Sequence, residues 1–156
     1  MKLNSLHIRN FRLLEDFEVK KLGGLNLIVG KNNSGKSTVL EAIRIYAGKA
    51  NPPLLAEILS EHDEEAEIRD TKLSAETMDF PVEHFFTGRK FPQSDHEICI
   101  GEKSGESTAL KLRIDKSANS DHWIKVSQNG KEKRFSVDDL DTSQRRGRIE
   151  WFEKFE

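Results

Sequence analysis

One segment of eight residues constrains this 156-residue chain more than any other: Gly30-Lys31-Asn32-Asn33-Ser34-Gly35-Lys36-Ser37. It has the spacing of a phosphate-cradling loop, a glycine and four residues followed by Gly-Lys-Ser or Gly-Lys-Thr. At average residue usage, a chain of this length meets that pattern by accident roughly once in 100 to 200 sequences. The flanks fit the setting that the pattern requires. The apolar run Leu25, Leu27, Ile28 and Val29 predicts a buried strand leading in, and Val39, Leu40, Ile43, Tyr46 and Ala47 predict a helix leading out.

The residue types follow from the chemistry of a phosphate chain. Successive backbone N–H groups have to point inward, and side chains would block that approach, so Gly30 and Gly35 supply the tight path and the unusual dihedrals. The helix that begins near Lys36 adds unpaired N–H groups and the positive end of its dipole. Lys36 is placed to reach the β- and γ-phosphates, and the Ser37 hydroxyl to ligate a Mg²⁺ that bridges them. Asn32, Asn33 and Ser34 are small and polar and tolerate turn geometry.

Length allows one domain with a real core. Charged residues are 33% of the chain, the formal net charge is −2, and apolar residues are 35%. That balance describes a soluble protein, not a wholly basic nucleic-acid coat. Cys99 is the single cysteine, so no internal disulfide forms, which fits a reducing, cytoplasmic setting. Lys2, Asn4, Ser5, His7 and Arg9 are unlike a signal peptide, and no apolar stretch approaches membrane-spanning length, so no membrane partner is expected.

Periodicity predicts strands over Leu3 to Phe11, around Phe17 and Val19, and over Leu25 to Val29, with a turn at Gly23-Gly24. The helix from Lys36 should stop near Gly48, and a short helix should run from Leu54 to about Glu61 after Pro52-Pro53. Residues 70–92 read as irregular, with a turn of helix over Val82 to Phe86. Four strands of an antiparallel meander are expected between His96 and Val137, with Asn129-Gly130 as the strongest hairpin signal. The organisation is then residues 1–50 (strands, loop and first helix), 51–95 (helical or irregular linker), 96–137 (antiparallel β subdomain) and 138–156 (tail).

Other constellations are weaker. The acidic run Glu61, Asp63, Glu64, Glu65 and Glu67, with His62, reads as a solvated helix end more readily than as a metal site. His96 and Cys99 form half of a metal pair with no second half. Arg145, Arg146 and Arg148 read as a solvated loop facing its own acidic neighbours before a contact for a nucleic-acid backbone, and Trp123 and Trp151 read as packing residues before base-stacking ones.

The first fifty residues resemble the start of an ABC-type ATPase head of the SMC, RecF and OLD kind. The likeness lies in Ile8-Arg9-Asn10-Phe11-Arg12, in Leu25-Asn26-Leu27-Ile28-Val29-Gly30, in the loop through Thr38, and in Leu40-Glu41-Ala42-Ile43. Phe85-Phe86-Thr87-Gly88-Arg89 is similar to a stretch of the OLD-like group. The resemblance implies an α/β (α+β) P-loop NTPase lobe with an antiparallel β subdomain, an incomplete ABC-type head that binds ATP and Mg²⁺ through a Walker A loop. It implies nucleotide contacts from Arg12, Asn32, Asn33, Ser34, Gly35, Lys36, Ser37 and Thr38, with Lys36 acting on the phosphates, Ser37 on the metal, and Arg12 forking onto phosphate oxygens. It implies a second ATPase head as partner, DNA as a further one, and service in DNA repair, chromosome maintenance or phage defence. Glu41 and Phe11 are expected to be structural.

The chain also departs from that family. It has no signature loop of the Leu-Ser-Gly-Gly type, and no apolar strand ends in Asp-Glu; Val137-Asp138-Asp139 is too short a match, and Gln144 is poorly set to sense magnesium. The expectation is an N-terminal lobe cut before the catalytic carboxylate. Two other readings stay open: the ATPase subunit of a membrane transporter, with Phe11 or Phe17 stacking on adenine, and a stand-alone nucleotide-binding module without turnover.

Overall fold

The computed structural model describes residues 3–61, 81–90, 96–104, 108–116 and 122–140. Its frame is an antiparallel sheet of six strands: β1 (Leu6–Phe11), β2 (Leu14–Val19), β3 (Ile98–Gly101), β4 (Leu110–Lys116), β5 (His122–Gln128) and β6 (Lys131–Ser136). The order across the sheet is β2-β1-β3-β4-β5-β6.

The period of two that builds a one-sided sheet runs through β4, β5 and β6, through Ile98 to Ile100 of β3 and through Leu6 to Arg9 of β1. In β1, Leu6 and Ile8 are buried while Arg9 faces solvent. Ile8 pairs with Ile100, Ile98 with Leu112, Leu112 with Val126, and Ile124 with Phe135. All of these lie on one face and belong to a single core. The two-residue turn at Asn129 and Gly130 runs at φ 53° and 70°, the left-handed pair a tight hairpin needs. The meander therefore forms as expected. Its first strand also adds directly to β1, so His7, Ile8 and Arg9 face Gly101, Ile100 and Cys99 across some ninety residues of chain.

Helices α1 (Lys36–Ala47) and α2 (Pro52–Ser60) cover the apolar face. Helix α1 starts and stops where expected, with Gly48 as its C-cap. The two prolines begin α2 instead of merely breaking the path. Asn51 caps that helix by accepting the Leu54 N–H at 2.9 Å, and proline is tolerated at the first positions, where no N–H is needed. Arg44 of α1 forks onto Glu57 (3.0 Å) and Glu61 (2.7 Å) and aligns the two helices. A 3₁₀ turn at Val82–Phe85 supplies Val82 and Phe85 to the core, and a second, Val137–Leu140, packs on α2.

The expected third strand, Leu25 to Val29, does not form. Leu25 is 93% exposed, Leu27 85% and Val29 77%, and none of the three pairs with a described strand. The reason is positional. Both edges of β1 are taken, by β2 and β3, so the described sheet has only the outer edges of β2 and β6 to give. An apolar run of this density suits a strand covered on both faces, and that cover is not among the described residues. The acidic stretch after Glu61, the arginine cluster, Gln144 and Trp151 lie outside the described residues.

Candidate functional site

The exposed run from Leu25 leads into the loop at Gly30. A Cβ on Gly30 would come within 2.6 Å of the Ser34 hydroxyl, so the loop closes tightly on itself at this point. Asn33 has φ 60° and Gly35 φ 86°, and these left-handed residues turn the chain into α1. A Cβ on Gly35 would also touch the Leu14 side chain at 3.4 Å, so this glycine meets both a dihedral and a space requirement. Asn32, Asn33, Ser34 and Ser37 are exposed around the loop, whereas Gly35 and Thr38 are buried beneath it.

The helix that follows has no side-chain cap at its N-terminus and no acidic residue in its first turn. Its leading N–H groups and the positive end of its dipole are therefore not neutralised by the helix itself. Lys36 folds back over the loop and donates to the carbonyls of Gly30 (2.8 Å) and Lys31 (2.5 Å). One ammonium thus lies across the mouth of a backbone cup. That donor set fits an anion with several oxygens, such as a phosphate chain, and the Ser37 hydroxyl is exposed beside it, a group of the type that could hold a hard cation.

Arg12 occupies the two-residue turn between β1 and β2 at φ 50°, and its N–H donates to the Phe85 carbonyl at 2.9 Å. Its side chain is buried, with Nε 2.9 Å from Oε2 of Glu41 on α1. The guanidinium lies 5.6 Å from the centre of the Phe85 ring and 6.0 Å from that of Phe11, and the two rings stack at 6.2 Å. The structure thus brings Lys36, Ser37 and the loop together, and holds Arg12 against the helix one turn further along. Periodicity alone did not reveal Glu41 as the buried counter-ion. The signal was present as a carboxylate among the buried positions of α1, where an acidic residue demands a partner.

Among the described residues, no helix is long and apolar enough to cross a membrane.

Comparison with known proteins points the same way as the loop. A family model described as "AAA ATPase domain" matches residues 1–147. The DNA replication and repair protein RecF of Erwinia tasmaniensis is 30% identical over 118 residues, which is 75% of this chain and 28% of that protein. RecF of Escherichia fergusonii is 34% identical over 119 residues, 74% of this chain and 28% of the relative. The OLD nuclease of Thermus scotoductus is 46% identical over 52 residues, 33% of this chain and 10% of the nuclease. The match to each RecF protein thus spans little more than a quarter of the relative's length.

Proposed function

The chain belongs to the AAA ATPase domain family, among P-loop ATPases of the SMC, RecF and OLD kind, and on that premise we propose that it is the Mg-ATP-binding N-terminal lobe of an ABC-type head. The observation that carries the reading is the loop itself: left-handed turns at Asn33 and Gly35, an uncapped helix start, and Lys36 lying across the carbonyls of Gly30 and Lys31.

The side chains then divide the work. Lys36 exchanges the two carbonyls for the β- and γ-phosphate oxygens, with hydrogen bonds to charged oxygens stronger than those it gives up. The amides of residues 33–38 cradle the phosphates. Asn32, Asn33 and Ser34 line the rim, and Thr38 anchors the helix start beneath. Ser37 holds the metal, which when bound neutralises charge on the phosphates. Arg12 turns from Glu41 toward the phosphate end, a step that breaks the 2.9 Å contact between the two side chains.

Turnover belongs to a complete head. This sequence carries no Asp-Glu strand end and no signature loop, so a base and a second head must come from elsewhere. The exposed run Leu25 to Val29 supports the same view, because the loop-feeding segment still needs cover. In the complete protein, two heads close on ATP in the cytoplasm, with DNA as the substrate of the cycle and DNA repair, chromosome maintenance or phage defence as the setting.

The test is a titration with Mg-ATP followed through backbone amide resonances. Shifts concentrated in residues 30–38 are expected. Shifts elsewhere, or none, contradict the assignment.

A further inference from the structure

Among the described residues, the large apolar side chains left exposed are Leu13, Leu25, Leu27, Ile28, Val29 and Leu40, and all of them flank the phosphate loop. Four lie in the run that feeds the loop, and Leu40 lies on the helix that leaves it. Leu13 arrives from elsewhere in the chain. It sits in the turn between β1 and β2 and is 68% exposed.

A single exposed leucine is ordinary on a protein surface. The mount of this one is not. Phe11 pairs with Leu14, so Arg12 and Leu13 alone make the turn. The Arg12 N–H donates to the Phe85 carbonyl at 2.9 Å, and the Arg12 side chain meets Glu41 on α1 at 2.9 Å. On the other side, a Cβ placed on Gly35 would lie 3.4 Å from the Leu14 side chain. The residues before and after Leu13 are thus fixed against the helix and against the loop. A side chain on so rigid a support keeps its place at the edge of the cup.

The composition of the turn is also unusual. Two-residue hairpin turns favour Asn, Asp and Gly, which accept the left-handed dihedral and are well solvated. Here Arg12 takes φ 50°, and a bare apolar residue follows it. The contact with Glu41 accounts for Arg12. No packing accounts for Leu13, which stands outside the hydrophobic core. The neighbouring aromatic rings are committed elsewhere. Phe11 is completely buried and stacks on Phe85 at 6.2 Å, so it presents no ring face to a base. Phe17 lies further along β2 and packs against the core.

A nucleotide held by its phosphates in the cup leaves its ribose and base outside. We propose that Leu13 is the platform on which the purine ring of that nucleotide lies, an aliphatic contact that reads the face of the ring and not its hydrogen-bonding edge. The inference rests on the phosphate-loop reading and adds the base to it. A leucine side chain has no donor or acceptor, so adenine and guanine gain equally from it. Any preference between the purines comes from other groups.

The experiment is calorimetric titration of this chain with Mg-ATP, Mg-GTP and magnesium tripolyphosphate, in the parent, Leu13→Ala and Leu13→Trp. Leu13→Ala should weaken ATP and GTP by the same factor, roughly 5- to 10-fold, as the loss of a few tens of Å² of apolar contact gives. Tripolyphosphate, which has no base, should bind the variant as it binds the parent. Leu13→Trp should bind ATP at least as tightly as the parent, and its tryptophan emission should change with ATP beyond the change seen in the parent, but not with tripolyphosphate. Far-UV circular dichroism should match the parent for both variants, because Leu13 belongs to no core cluster. Tripolyphosphate weakened as much as ATP would assign Leu13 to holding the loop and overturns the proposal. So does a loss confined to one purine, or an ATP affinity that Leu13→Ala leaves intact while tripolyphosphate still binds. A parent that binds neither ATP nor tripolyphosphate overturns the phosphate-loop reading, and this inference with it.

Discussion

Arg12 and Glu41 meet inside the protein, and that pair decides how the neighbourhood of the loop behaves. Each side chain is almost fully buried, with 8% and 6% exposure. Removing two charges from water costs several kcal/mol per ion, and their attraction offsets this only while both are present. Arg12→Leu should therefore destabilise the chain by about 3–5 kcal/mol in urea unfolding, since it removes one charge of a buried ion pair. Replacing both residues by leucine should recover most of that loss. A single substitution costing under about 1 kcal/mol would show that the pair is wetter than the structure describes. The double variant also isolates the nucleotide role: if Arg12 meets the γ-phosphate, ATP binds more weakly there while ADP changes little. Equal losses for both would remove Arg12 from that phosphate.

Among the elements, the segment Leu25 to Val29 and the β1–β2 hairpin behave in opposite ways. The segment is apolar yet exposed, so Leu25→Ser, Leu27→Ser and Val29→Ser together should leave the unfolding free energy within roughly 0.5 kcal/mol and reduce self-association in sedimentation. A loss of several kcal/mol would place these residues in the core of the isolated chain. The hairpin is held at its surface by carboxylates. Hydrogen bonding to His7 lowers the Asp16 carboxyl from 3.8, and hydrogen bonding to Lys103 lowers that of Glu18 from 4.5. For groups depressed in the folded state, the stabilisation is present above the unfolded values and is lost as pH falls through the lower folded ones. Amide protection in β2 should therefore fall as pH drops below 4.5 and then 3.8, less so at high salt because both groups are exposed. Asp16→Asn with Glu18→Gln should remove most of that drop; an undiminished drop would assign it to other groups.

The whole molecule shows which parts of a fold local sequence can announce. Alternation at Leu6 and Ile8 or at Ile98 and Ile100, the Asn129-Gly130 turn, and the helix from Lys36 to Gly48 are local patterns, and all were legible. The addition of β3 to β1 was not, because it joins residues some ninety positions apart and no local period encodes a partner. The run before the loop was misread for a related reason: apolar density reports that a strand needs burial, not what supplies it. The loop was legible as a motif, since glycine spacing and a lysine at fixed offset are chemical requirements. The packing of Arg12 between Glu41, Phe11 and Phe85 was not, because three separate elements converge there. The central claim is that the cup around Asn33, with Lys36 at its mouth, holds the triphosphate. Calorimetry of Mg-ATP binding to the parent and to Lys36→Ala tests it most directly. Loss of one hydrogen bond to a charged group, about 1.5–3 kcal/mol, predicts roughly 10- to 150-fold weaker binding in the variant. Equal affinity in the two proteins would contradict the account.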